Sequence, residues 1–192
     1  MKKRSPQFAA VFCFSLLCLL FASPAYPQIY AYSTNNGAWS NAATWNTPPV
    51  DGLPAVVTGG NTVTFGPGDS YTGSSAWWNG LGVGADTNYG PAGAGTLNIS
   101  GGTLTSGGMW AGHGGTGTIN LSGGTLNIGG QHMLFGWNYS SYLNVSGGTL
   151  NMTGSGNIFR FGNSAQSFMN ITNGGVANLS GLGIDLLVNS QI

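Results

Sequence analysis

The groups able to do chemistry in this 192-residue chain are few and scattered. Four carboxylates are present, Asp51, Asp69, Asp86 and Asp185, with no glutamate, and two imidazoles, His113 and His132. Cleaving a glycosidic bond takes two carboxylates flanking it, or an acid–base pair helped by a metal or a cation. None of the aspartates recurs at a fixed spacing, so the sequence sets no two of them face to face. Beyond the N-terminal Lys2-Lys3-Arg4 the one cation is Arg160. His113 and His132 fall in corners of successive repeats and could lie near one another. A zinc site would still need a third or fourth ligand, and no cysteine or glutamate follows the leader to supply it. No catalytic residue, metal site or cofactor is therefore expected. The side chains with most to offer a ligand are aromatic. Trp110, Trp137 and Tyr139 fall close together in the repeat, and such rings suit the apolar faces of sugars. The same residues could instead pack under a neighbouring loop.

The first 28 residues read as a cleaved export signal. Met1-Lys-Lys-Arg4 is a basic start, Phe8 to Ala22 is uncharged and apolar, and Ser23-Pro-Ala25 offers small residues for cleavage. The apolar run is shorter than the roughly 20 residues that span a bilayer. Cleavage removes Cys13 and Cys18, so no disulfide can form and stability must come from packing and backbone hydrogen bonds. It also removes three cations, taking the formal net charge from 0 to about −3. That balance argues against nucleic acid or an anionic membrane as partner. Asn, Ser, Thr and Gly supply the polar surface in place of charge.

A glycine-hinged phrase decides the fold. It reads Leu97-Asn-Ile-Ser-Gly-Gly-Thr-Leu104, then Ile119-Asn-Leu-Ser-Gly-Gly-Thr-Leu126, then Leu143-Asn-Val-Ser-Gly-Gly-Thr-Leu150, with a looser copy from Met169 to Val176. The first residues of these copies are 22, 24 and 26 apart. Self-similarity on this scale marks a solenoid, propeller or array. A third apolar stretch ends each repeat before a glycine: Leu81-Gly-Val-Gly84, Met109-Trp-Ala-Gly112, Met133-Leu-Phe-Gly136 and Phe159-Arg-Phe-Gly162. Alternation within each stretch is the period of strands with one buried face.

Three short strands per turn, separated by glycine corners, predict an all-β protein: a right-handed parallel β-helix of four to five coils with an N-terminal cap. The inward columns are Leu97/Ile119/Leu143/Met169, Ile99/Leu121/Val145/Ile171, Leu104/Leu126/Leu150/Val176, Leu81/Met109/Met133/Phe159 and Val83/Ala111/Phe135/Phe161. A meander of antiparallel hairpins would explain the Gly-Gly pairs but not the long period. Residues 29–80 are expected to hold the cap, with Trp39 and Trp45, and a first irregular coil. Val56-Val57, Thr62 to Phe65 and Leu81 to Gly84 would be that coil's three strands. Residues 81–192 are the repeat domain. Outward, Asn98, Asn120, Asn144 and Asn170 line up as a ladder, with Thr103, Thr125 and Thr149 on the next face. Such ladders stabilise stacked strands. A flat Thr or Asn face could bind ice or a crystalline glycan, but the varying coil lengths are expected to spoil the lattice. Calcium of the RTX kind needs aspartate in the glycine turns, and Ser100-Gly-Gly, Ser122-Gly-Gly and Ser146-Gly-Gly have none.

The Trp39–Trp45 pair before a proline turn, Gly59-Gly60-Asn61 with Thr62-Val63-Thr64, and the run of Leu-Asn-Ile-Ser-Gly-Gly-Thr-Leu coils together resemble one family. It is the exported bacterial β-solenoid proteins with autotransporter-associated or PEP-CTERM-associated β-strand repeats. The resemblance runs from about Asn36 to Asn189. It implies a surface or matrix polypeptide and carries no catalytic residues with it. Many such proteins end in a membrane barrel or sorting tail, whereas Gly183 to Ile192 stops inside a coil, so the repeat domain is expected to be truncated at its C-terminus. The function expected is an exported structural or adhesive module without catalytic activity, a rod meeting extracellular glycan or matrix, with Trp110, Trp137 and Tyr139 as contact residues. The alternative is a fragment of a polysaccharide-active lyase or hydrolase. Partners expected are a glycan or matrix polymer and, through the uncapped C-terminal end, other copies of the chain; the segment after the leader is not expected to insert in a membrane.

Overall fold

The computed structural model describes residues 30–74, 80–129, 132–186 and 190–191. The expected signal peptide lies outside them. The chain is a parallel β-solenoid of about five turns. Its strands, in chain order, are β1 (Ala31–Tyr32), β2 (Gly37–Ala38), β3 (Ala55–Val57), β4 (Asn61–Phe65) and β5 (Ser70–Thr72) near the start. Then follow β6 (Leu81–Val83), β7 (Gly95–Ser106), β8 (Met109–Ala111), β9 (Gly117–Ile128) and β10 (His132–Phe135). β11 (Ser141–Val145), β12 (Thr149–Phe161), β13 (Ser167–Ile171), β14 (Val176–Leu186) and β15 (Ser190–Gln191) complete the series.

These strands stack into three faces. The first face is β2, β4, the first halves of β7 and β9, then β11, β13 and β15. The second is β5, the second halves of β7 and β9, and the first halves of β12 and β14. The third is β1, β3, β6, β8, β10 and the second halves of β12 and β14. Every one of these pairings is parallel, with the coils about 4.8 Å apart. Between the third and first faces the chain turns at Gly84, Gly112, Gly136 and Gly162, all at φ between 71° and 78°. That left-handed conformation costs a side chain free energy and costs glycine little, which is why the third stretch of each repeat ends in glycine.

Most of the predicted inward columns form as read. Leu97, Ile119 and Leu143 are fully buried in one line, and so are Ile99, Leu121 and Val145. Leu81, Met109, Met133 and Phe159 stack on the third face beside Val83, Ala111, Phe135 and Phe161. The coil lengths of 22, 24 and 26 have a single source. Leu104 to Met109, Leu126 to Met133 and Leu150 to Phe159 span 5, 7 and 9 residues, while the other two legs of each coil stay at 7 and 10. All the added residues therefore come in pairs at the corner between the second and third faces.

Three expectations need correction. Val56-Val57 is not in one coil with Leu81 to Gly84: β3 pairs with β6 in register Ala55↔Leu81, so the two are the same face in successive coils. The second-face strand of that coil is β5, a three-residue piece with a single buried side chain, Tyr71, too short to show a period. Val176 does not join the Leu104 column. Its corner holds one extra residue, Asn173 at φ 49° followed by Gly174 at φ 81°. The register becomes Thr149↔Val176 and Leu150↔Ala177, so the valine is left exposed. Ile171 pairs with Val145 as expected yet is 45% exposed.

Two amide ladders run along the outside. On the first face Asn120, Asn144 and Asn170 each donate from Nδ2 to Oδ1 of the asparagine one coil earlier, beginning at Asn98, at 2.8 Å each. The second was not anticipated. Asn127 donates to Thr105 at 3.4 Å, Asn151 to Asn127 at 2.9 Å and Asn178 to Asn151 at 2.8 Å. Its signal was present in the asparagine two places after Thr125 and again after Thr149, with Thr105 in the same place after Thr103. At the N-terminal end Trp39 and Trp45, each 5% exposed, close the first coil as a cap. Trp39 packs at 4.9 Å from Trp45, 5.2 Å from Phe65 and 4.9 Å from Tyr71, ring centre to ring centre. Trp45 Nε1 donates to the Trp39 carbonyl at 2.8 Å. Both rings are thus core residues.

Candidate functional site

On the outside of the third face the register sets Tyr32, Val56, Gly82, Trp110, Leu134 and Arg160 in one column. Unlike the ladders, no two of these members are alike, so no ladder of like side chains forms among them. The apolar members need cover. A Cβ on Gly82 would lie 2.2 Å from the Trp110 ring, so the indole lies across Gly82 and only glycine leaves it room.

The cover is the loop 84–94, the longest turn between third and first faces. Its two legs are joined by the Gly93 N–H donating to the Ala85 carbonyl at 2.9 Å. The buried hydroxyl of Thr58 donates to the Pro91 carbonyl at 2.7 Å and accepts from the Ala85 N–H at 3.2 Å, which fixes the loop to the coil below. Asp86 Oδ1 accepts from the Asn88 N–H and Oδ2 from its side-chain amide, both at 3.0 Å, setting the tip. Tyr89 is thereby placed over the column: its ring centre is 5.2 Å from Tyr30, 5.1 Å from Trp110 and 5.6 Å from His113. Burial raises the pKa of Tyr89, with the Asp86 carboxylate adding to it, and burial with Tyr89 does the same for Tyr30. Both hydroxyls stay protonated at neutral pH and can donate.

Each later corner hangs from the one beneath. The His113 N–H donates to the Gly84 carbonyl at 3.0 Å, and the N–H groups of Asn138 and Tyr139 both donate to the Gly112 carbonyl at 2.9 Å. This places His113 directly below its counterpart Trp137, 5.4 Å apart, and 5.6 Å from Trp110. His113 Nδ1 lies 3.3 Å from Asp86 Oδ2, an ion-pair separation without the alignment of a hydrogen bond.

The three aromatics singled out in the sequence therefore occupy three different environments. Trp110 points away from the coil but is 4% exposed, roofed by Tyr89 and flanked by His113. Trp137 is half-buried at the edge of the cluster, and Tyr139 is 50% exposed beyond it. Tyr30, Tyr32, Tyr89 and His113 complete the patch, and sequence reasoning missed the three tyrosines because they come from segments outside the repeat.

The histidines are not neighbours. Met109 pairs with Met133 and Ala111 with Phe135, so His132 sits at the entry of β10 while His113 follows the exit of β8. Burial, with the charge of Arg160 adding to it, lowers the pKa of His132. Among the described residues no group of three or more His, Cys, Asp or Glu side chains could hold a metal ion. Each aspartate whose side chain is described accepts from a backbone N–H: Asp51 ties its turn to β5, while Asp69 and Asp86 each close their own turn. Asp51 accepts from the Thr72 N–H and Asp69 from the Gly66 N–H, both at 2.8 Å, and Asp86 holds the tip of loop 84–94. What the aromatic patch can do is stack an apolar ring face and offer hydroxyl and amide donors around it. Compared with models of protein families, with curated proteins and with solved structures, the chain matches none.

Proposed function

We propose that this protein is an exported, non-enzymatic β-solenoid serving as a stalk or adhesive module at the cell surface or in the extracellular matrix. The observation that carries the reading is the pair of amide ladders running along the axis, four residues in each. The repeated polar side chains bind each other coil to coil, which stiffens a rod and leaves its length available for contacts. A rod of stacked coils acts sterically and by multivalency: many weak contacts on one rigid body give retention that no single contact supplies. The use of Asp51, Asp69 and Asp86 in three separate turns supports the non-enzymatic side of the reading. The basic and apolar leader supports export, and the resemblance to autotransporter-associated and PEP-CTERM-associated repeats points the same way. The partner is an extracellular glycan or matrix polymer, met through shallow polar and aromatic patches of which the Trp137–Tyr139 rim is one.

Two measurements test this. Protease shaving of intact cells should remove the protein from the outer surface. Incubation of purified protein with pectin, alginate and xylan should yield no new reducing ends and no unsaturated product. Product formation abolished by Asp86→Asn or Asp185→Asn would instead identify a fragment of a polysaccharide-active enzyme.

A further inference from the structure

We infer that the outer surface of the first face binds an extended, uncharged polysaccharide laid across the strands, beside the asparagine ladder and against the Tyr142–Phe168 pair; this deepens the adhesive reading and depends on it. The first requirement is a regular surface. Coil lengths that differ by two residues were expected to spoil any lattice, but the added pairs all lie at the corner between the second and third faces. From Asn61 to Phe65 through Ser167 to Ile171 the first face runs in unbroken register over five strands. It presents two outward columns. One is Thr62, Thr96, Thr118, Tyr142 and Phe168; the other is Thr64 followed by the four ladder asparagines.

The second requirement is chemistry that selects a ligand. Neither column contains a charge, so a polyanion gains nothing there and loses solvation. Each internal ladder amide uses one of its two N–H groups and one of its two acceptor sites along the column, leaving a donor and an acceptor for a ligand. Held by 2.8 Å hydrogen bonds to their neighbours, these amides meet a ligand with little side-chain entropy left to lose. A chain running across the strands meets a fresh amide about every 4.8 Å.

The third requirement is an apolar platform at the same place. Tyr142 and Phe168 stand two residues from Asn144 and Asn170 on the same outward side, and their rings stack at 5.2 Å with planes 7° apart. Both are half-buried and point away from the core, so closing the solenoid does not call for them. The second face makes the contrast. Its ladder is flanked by Thr103, Thr125 and Thr149 and then Val176, with no ring beside it. A ladder alone stabilises the coil; a ladder with adjoining rings has the hydroxyl-bonding and C–H-stacking surfaces that a neutral pyranose chain presents.

The test is depletion of purified protein by suspended microcrystalline cellulose, by chitin and, as a charged counterpart, by polygalacturonate. The proposal expects binding to at least one of the two uncharged polymers. The double variant Tyr142→Thr/Phe168→Thr, which restores the threonines of earlier coils, should bind about tenfold more weakly with its thermal transition in place. Thr125→Ala/Thr149→Ala, on the second face, should stay within about twofold of the parent. If the first double variant binds as well as the parent, the first-face site is wrong while the adhesive reading stands. If the parent binds only polygalacturonate, or none of the three, the proposal fails; adhesion of protein-coated beads to cell matrix then decides whether the adhesive reading survives it. Thermal hysteresis of freezing, or a dimer in sedimentation, abolished by the same two substitutions would make ice or a second copy the occupant and overturn the polysaccharide.

Discussion

The first and third faces belong to the same coils, yet their outer surfaces are held in opposite ways. On the first face like stands above like, and Asn98, Asn120, Asn144 and Asn170 hydrogen-bond in a column that needs no cover. On the third face Val56, Gly82, Trp110, Leu134 and Arg160 differ at every step. That column satisfies no polar ladder and exposes apolar surface, so a loop of eleven residues, 84–94, must fold over it and bring Tyr89 down as a roof. Repetition makes a surface self-sufficient, and its loss has to be offset by added chain. The two surfaces should accordingly fail in different ways.

The largest effect should come from beneath the first face. Leu121 is fully buried, and Leu121→Asp would place an unpaired charge in the core at a cost of several kcal/mol. Circular dichroism should show loss of the cooperative transition, whereas Asn120→Asp, one residue away and outward, should keep it. Next is Trp110→Ala, which empties the space under Tyr89 and should cost about 3 kcal/mol. Hydrogen exchange should accelerate across loop 84–94 while the first face stays protected. If protection falls equally on both faces, the two surfaces are one cooperative unit and the comparison breaks.

A smaller loss is expected for Asn144→Ala. It removes one ladder bond to Asn120 and one from Asn170, so chemical denaturation should register about 1–2 kcal/mol. Least is the effect of pH, and it should localise to the third face. His132 has its pKa lowered by burial and by Arg160, so the unfolded chain takes up the proton more readily than the folded one. Its contribution is fully present above the ordinary value of 6.5 and is lost as pH falls through the lowered one. Melting temperature should therefore decline on acidification, and His132→Gln should flatten that part of the decline. A slope unchanged by His132→Gln would assign it to other groups.

The legible part of this molecule is the part that repeats. Leu97, Ile119 and Leu143 could be placed in one buried line because the same phrase surrounds each of them, and the first amide ladder followed from the same alignment. The illegible part is where one copy departs from its neighbours. Asn173 adds a single residue to a corner, and only the left-handed backbone at Asn173 and Gly174 shows that Val176 is pushed outward. Tyr71 is the lone buried residue of a three-residue strand, so no periodicity could mark it. The aromatic patch was half visible. Trp110, Trp137 and His113 come from repeats, but Tyr30 and Tyr89 reach it through tertiary packing that no spacing records. The candidate first-face surface was visible as a ladder, while its regularity was hidden by coil lengths that looked disruptive.

The corner at which coils lengthen by two has a consequence for how such a chain can change over time. A strand counts its residues by parity: an even insertion returns the next side chain to the same side, and an odd one turns every following residue inside out. Codons gained in pairs between Ile128 and His132, or in the matching stretches of neighbouring coils, are thus neutral to the core, and single codons are not. The odd residue at Asn173 survives only because a left-handed pair takes up the difference, at the cost of an exposed valine. Drift in coil length should therefore proceed in even steps at this one corner, and it can build a projecting ridge there without altering the opposite face.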